Sequence, residues 1–143
     1  MRNTLQMWTA VMLASSALGA LAAPGDPVKV VYHMNEDVAR APQTIRNIRN
    51  HMTADPKAKI VVVSHAAGIN FLLKDAKDPN GNPFEVAVQD LTMKGVEFRV
   101  CEFTLQARKL EKSALIEDVK YVPSGVAEVS RLQFQEGYAY LKP

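Results

Sequence analysis

The sequence predicts a single α/β domain of three layers, with helices on both faces of a mostly parallel five-stranded sheet. Three observations carry that expectation. Strand and helix patterns alternate along the chain. Ile60, Val61, Val62 and Val63 form an unbroken apolar run, as in a strand covered on both faces. The segments between strands are long enough to be helical crossovers. Crossovers are right-handed, so few topologies remain, and a flavodoxin-like arrangement is the nearest template.

The elements follow in order. Residues 28–33 are a β-branched run after a proline-rich leader and read as the first strand. Val38, Ala41, Ile45, Ile48 and Met52 recur at spacings of three and four, one face of a helix. Pro42 fits that helix in its first turn, where a missing N–H costs nothing, and Asp55-Pro56 ends it. Residues 58–64 are the second strand. Residues 66–75 read equally as a short helix or a buried loop, and 78–82 form a turn by their chemistry. That turn is not a calcium loop, because Gly81 comes before the sixth position, where the loop glycine belongs, and Gln89 stands where a bidentate Glu belongs. A helix over 84–94 is closed by Gly95, and a third strand spans 96–100, with Cys101 directly after it. A short helix over 103–112, a strand over 119–122, a helix over 126–136 closed by Gly137, and a strand over 138–141 complete the chain.

Residues 1–22 read as a secretory signal peptide: Arg2 is the one charge, residues 7–22 are uncharged, and Ala20-Leu21-Ala22 is a small-x-small cleavage site. The stretch is short and weakly hydrophobic for a membrane anchor, so no stable span is expected after cleavage. The domain then covers 23–143 and works outside the cytoplasm, in a bacterial setting the periplasm. Seventeen Lys+Arg residues against 15 Asp+Glu leave no electrostatic footprint for nucleic acid. One cysteine excludes an intrachain disulfide and a multi-thiolate metal site.

Ligands of open parallel sheets bind beyond the carboxyl ends of the strands, where strand order reverses. Those ends carry His33, Met34 and Asn35; Ser64 and His65; Cys101; and Pro123, Ser124 and Gly125. At a strand-to-helix junction, the Cys101 thiolate would face free N–H groups and the positive end of a helix dipole, with Glu102 opposing. The competing reading is a buried cysteine packed as a small hydrophobe. His65 is a candidate base or ion-pair partner for Cys101, or a loop histidine bonded to backbone. Ser124 reads first as a helix N-cap that, with Gly125, prepares N–H groups for an anion. His33, His51, His65 and Cys101 show no metal-ligand spacing. Dinucleotide, P-loop and Gly-x-Ser-x-Gly motifs are missing as well, so no cofactor is implied.

The segments 59–65 (Lys59-Ile60-Val61-Val62-Val63-Ser64-His65), 68–74 (from Gly68-Ile69-Asn70), 80–84, 95–105 (through Val100-Cys101-Glu102), 122–129 (from Val122-Pro123-Ser124-Gly125) and 137–143 together resemble the secreted branch of the DsrE/DsrF-like family. The resemblance implies a DsrEFH-like parallel-sheet fold and homo-oligomers, often trimers or hexamers. It also implies a persulfide-carrying cysteine, matched here by Cys101, that exchanges sulfur with a donor or acceptor protein. Asn35, His65, Asn70, Ser124 and Gly125 are the binding residues expected around it. The expectation is a periplasmic thiol protein that binds or transfers sulfane sulfur on Cys101. Its rivals are a non-catalytic homo-oligomeric module holding a small ligand beside a structural cysteine, and, more remotely, a metal-binding protein using Cys101 and His65.

Overall fold

The computed structural model describes residues 25–143, so the export segment expected over 1–22 lies outside the described residues. Five strands, β1 (Lys29–Met34), β2 (Lys59–Ser64), β3 (Glu97–Cys101), β4 (Val119–Val122) and β5 (Ala139–Leu141), form one sheet in the order β4-β3-β2-β1-β5. Every neighbouring pair is parallel.

Four helices connect them. α1 (Ala41–Ala54) carries Pro42 in its first turn and buries Ala41, Thr44, Ile45 and Ile48. α2 (Phe84–Met93) buries Phe84, Val88 and Leu91, and the chain leaves it through Gly95 at φ +94°, a conformation that costs glycine little. α3 (Glu102–Arg108) stops short of the expected 103–112 because Lys109 turns left-handed at φ 52°. α4 (Gly125–Glu136) is N-capped by Ser124, whose hydroxyl accepts the Ala127 N–H at 3.3 Å. The segment that read as helix or loop is a 3-10 helix, Ala66–Leu72, with Gly68, Ile69, Phe71 and Leu72 buried. It lies tight against the end of β1: a Cβ at Gly68 would sit 2.2 Å from the Met34 carbonyl oxygen.

The layers are unequal. Val30, Tyr32, Met34, Ile60, Val62, Phe98 and Val100 point to one face and merge with α1, the 3-10 segment, α2 and Leu105 of α3 in the main core. There Phe71 meets Phe84 and Phe98 edge-on, with centroids 6.1 and 6.3 Å apart. Val31, Val61 and Val63 point to the other face, where Val129 and Leu132 of α4 cover them. Topology explains the split. The chain steps from β1 to β4 in one direction and then returns across the sheet to β5. A crossover of fixed hand must change faces when its direction reverses, so α4 lies opposite the other helices.

That order refines the flavodoxin template, whose 2-1-3-4-5 sheet has its switch point beside β1. Here the connections leaving adjacent β3 and β4 turn to opposite faces, α3 to one and α4 to the other. The crevice therefore opens at the carboxyl ends of β3 and β4.

Candidate functional site

Cys101 occupies that crevice. It is the last residue of β3, which runs one residue past the expected end at 100, and the residue before α3. β3 sends Phe98 and Val100 into the main core, so the alternation turns Cys101 toward α4. Across from it, β4 ends and Pro123, Ser124 and Gly125 open α4. The Phe103 N–H donates to the Pro123 carbonyl at 3.2 Å and ties the two strand ends together. Gly125 is the first residue of α4, and a Cβ there would lie 3.0 Å from the His65 Cβ and 3.3 Å from the Cys101 Cβ. Only glycine lets the helix start so near both side chains.

Cys101 is 5 % exposed. The Sγ–H faces the Pro123 carbonyl at 3.9 Å, a long contact, and no cap bond closes on the neutral thiol. Burial pushes the thiol pKa up, but donors around the sulfur outweigh it. The Thr104 hydroxyl and the N–H groups of Gly125, Thr104 and Phe103 hold the pKa below its ordinary value. These donors come from two helix starts that the strand order brings to one point.

His65 continues into a second cluster at the end of β1. Its Nε2 is 2.7 Å from the Nε2 of His33, with the rings stacked at 4.9 Å, and His33 Nδ1 is 2.8 Å from the Tyr140 hydroxyl. One Nε2 must donate and the other accept, so the two rings cannot both be fully protonated in this arrangement. Burial lowers the pKa of both histidines; His65 and Lys142 lower His33 further, and Lys142 does the same for His65. Asn35 accepts a hydrogen bond from Lys142, which also pairs with Glu36 at 3.2 Å. Below Cys101 on β3, Arg99 pairs with Glu97 at 2.8 Å and with Glu128 in the first turn of α4.

The expected site residues thus fall into three groups. Cys101, His65 and Gly125 converge, and Ser124 caps the helix that Gly125 begins. Asn35 lies with Lys142 at the β1 end. Asn70 stands apart: its Nδ2 donates to Asp37 at 3.0 Å and its Oδ1 accepts from Arg108 at 2.7 Å, bracing three rim segments together. Sequence reasoning missed Thr104, Tyr140 and Lys142. Thr104 lies three residues after Cys101, the position from which a side chain reaches back to a helix cap, and that spacing was the available signal. Two open grooves, of about 580 and 720 Å³, lie elsewhere, between α1 and α2 and along α3 to Ser113. Among the described residues, no group of three or more His, Cys, Asp or Glu side chains gathers as a metal site.

Comparison with known proteins agrees with this architecture. No curated protein matches the chain. The solved structure of MTH1491 from Methanobacterium thermoautotrophicum, a protein of unknown function, is 35% identical with a TM-score of 0.72, over 81% of this chain and 99% of that one. The ychN protein of E. coli shares the fold at a TM-score of 0.63 and 13% identity, over 82% of this chain and 99% of its own. The model of the DsrE/DsrF-like family matches residues 28–143. The chain belongs to the DsrE/DsrF-like family.

Proposed function

We propose that this protein accepts sulfane sulfur on Cys101 and passes it to an acceptor thiol, working as a homo-oligomer (a trimer or hexamer) in the periplasm after loss of residues 1–22. The observation that carries the reading is the set of hydrogen-bond donors around a thiol at the sheet's switch point, which holds its pKa below the ordinary thiol value despite burial. The Cys101 thiolate attacks the outer sulfur of a donor persulfide, R–S–SH. The new S–S bond forms as the donor's S–S bond breaks; R–S⁻ leaves with the electron pair, and Cys101 holds S–SH. An acceptor thiolate then attacks that outer sulfur and releases the Cys101 thiolate, so no external oxidant or reductant is consumed. Gly125 and Thr104 stabilise the anionic sulfur before attack and after transfer, and His65 flanks it as a neutral proton acceptor.

Incubation with polysulfide followed by intact mass spectrometry tests this. The wild type is expected to gain one sulfur atom, removable by dithiothreitol, and Cys101→Ser to gain none. Failure to load, or loading that survives Cys101→Ser, overturns the reading. The 5 % exposure of Cys101 favours the second reading, a binding module with a structural cysteine. In that case the wild type stays unloaded and the thiol labels with maleimide only after unfolding.

A further inference from the structure

We propose that Thr104 is the switchable donor to the Cys101 sulfur, aimed by a strained turn at Ala66. The inference rests on Cys101 being the reacting thiol, as proposed above. Ala66 stands at φ 50°, a left-handed conformation that a residue with a Cβ rarely adopts and that collects at functional sites. In that conformation its N–H donates to Thr104 Oγ1 at 3.0 Å, across from the start of the 3-10 segment to the first turn of α3.

A hydroxyl has one proton to give and two lone pairs to accept with. With a lone pair of Thr104 already bound by Ala66, its proton remains to be placed. Thr53 and Ser130 donate to the carbonyl four residues earlier, at 2.9 and 3.1 Å, Thr44 has both the Arg40 carbonyl at 3.1 Å and the Met34 sulfur at 3.0 Å as acceptors, and Thr92 in α2 makes no side-chain hydrogen bond among the described residues. Thr104 makes no bond to the carbonyl four residues earlier among the described residues. It is the third residue of α3, and Cys101 is that helix's N-cap, so the pair has the spacing of a capping box with sulfur at the cap. While Cys101 is a thiol, Sγ–H faces the Pro123 carbonyl. Once Cys101 ionises, the Thr104 hydroxyl turns its proton onto the sulfur, and Ala66 keeps the oxygen from swinging away. The titratable and charged groups on the surrounding elements are His65 after β2, Glu97 and Arg99 on β3, Glu102 and Arg108 in α3, Lys120 and Tyr121 on β4, and Glu128, Arg131 and Glu136 in α4. Substituting Thr104 alters none of them.

The test is titration of the thiolate by its ultraviolet absorbance, with Cys101→Ser as the blank, in full-length wild type, Thr104→Val and Thr104→Ser. This readout needs neither a sulfur donor nor reagent access. Thr104→Val is expected to raise the thiol midpoint so that roughly tenfold less thiolate is present at neutral pH. Thr104→Ser, which keeps the hydroxyl, is expected to return most of it. An unshifted Thr104→Val overturns the proposal, and so does an equal shift in both variants, which would mean that shape rather than the hydroxyl matters. Should valine prevent folding, Thr104→Ala is read in its place against serine. A wild type that titrates as expected but takes up no polysulfide would sink the sulfur-transfer reading and leave the role of Thr104 standing.

Discussion

Three helices and a 3-10 segment cover one face of the sheet, whereas α4 alone covers the other. The crowded face is aliphatic and aromatic, and its strand residues are almost wholly buried. The single-helix face holds a small valine–leucine cluster, and around it lie Cys101, His65, His33 and the Arg99–Glu128 pair. The contrast separates two tasks. One face supplies the burial that keeps the domain folded. The other is thin enough for polar groups to stand at the rim beside one helix start.

The largest test of that separation is on the crowded face. Phe98, 1 % exposed and edge-on to Phe71, is expected to cost about 3–5 kcal/mol when replaced by alanine. Urea melts measure the loss, and the Cys101 midpoint of the protein that remains folded should not move. A shifted thiol would show the two faces to be coupled. Gly125→Ala lies on the thin face and reverses the pattern. Its Cβ meets His65 and Cys101 at 3.0 and 3.3 Å, so α4 must back away. About 1–2 kcal/mol of stability is expected to go, together with a rise in the thiol pKa as the Gly125 N–H withdraws. Melts and thiol titration of one sample decide it, and an unchanged thiol would remove Gly125 from the site.

The smallest effect concerns the histidine pair. Burial holds both pKa values below 6.5, so between that value and the folded pKa values the unfolded chain binds protons that the folded one refuses. Their contribution is complete above about pH 6.5 and is lost as the pH falls through that window. His33→Ala should flatten this slope, seen as a smaller fall in urea midpoint between about pH 7.5 and 5. Identical slopes in variant and wild type would dismiss the pair as a pH-sensitive element.

Much of this was legible in the sequence, for identifiable reasons. Period and turn chemistry marked each strand, and the strand-end rule collected His65, Cys101 and Gly125 on one rim before any coordinates. Strand order was harder, because right-handed crossovers permit several sheets, and the order moved the switch point to Cys101. The His33–His65 bond depends on Met34 pairing with Ser64 across β1 and β2, a register no local pattern records. Lys109 cut α3 short through a left-handed turn in a residue type that gives no warning of it. Asn70 bonds Asp37 and Arg108, 33 and 38 residues away, contacts that no local pattern records.

The strand order also sets a sequence of assembly. β1 through β4 pair with chain neighbours, so each can dock soon after its crossover helix forms. β5 cannot: its Tyr140 meets His33 across 107 residues, and its partner β1 must wait for the end of the chain. With all three residues exposed, β5 is the most exposed strand of the sheet, and hydrogen exchange is expected to find its amides the first to exchange. The histidine end of the rim therefore depends on the last strand of the chain, and exchange data that found β5 as protected as β3 would undo that asymmetry.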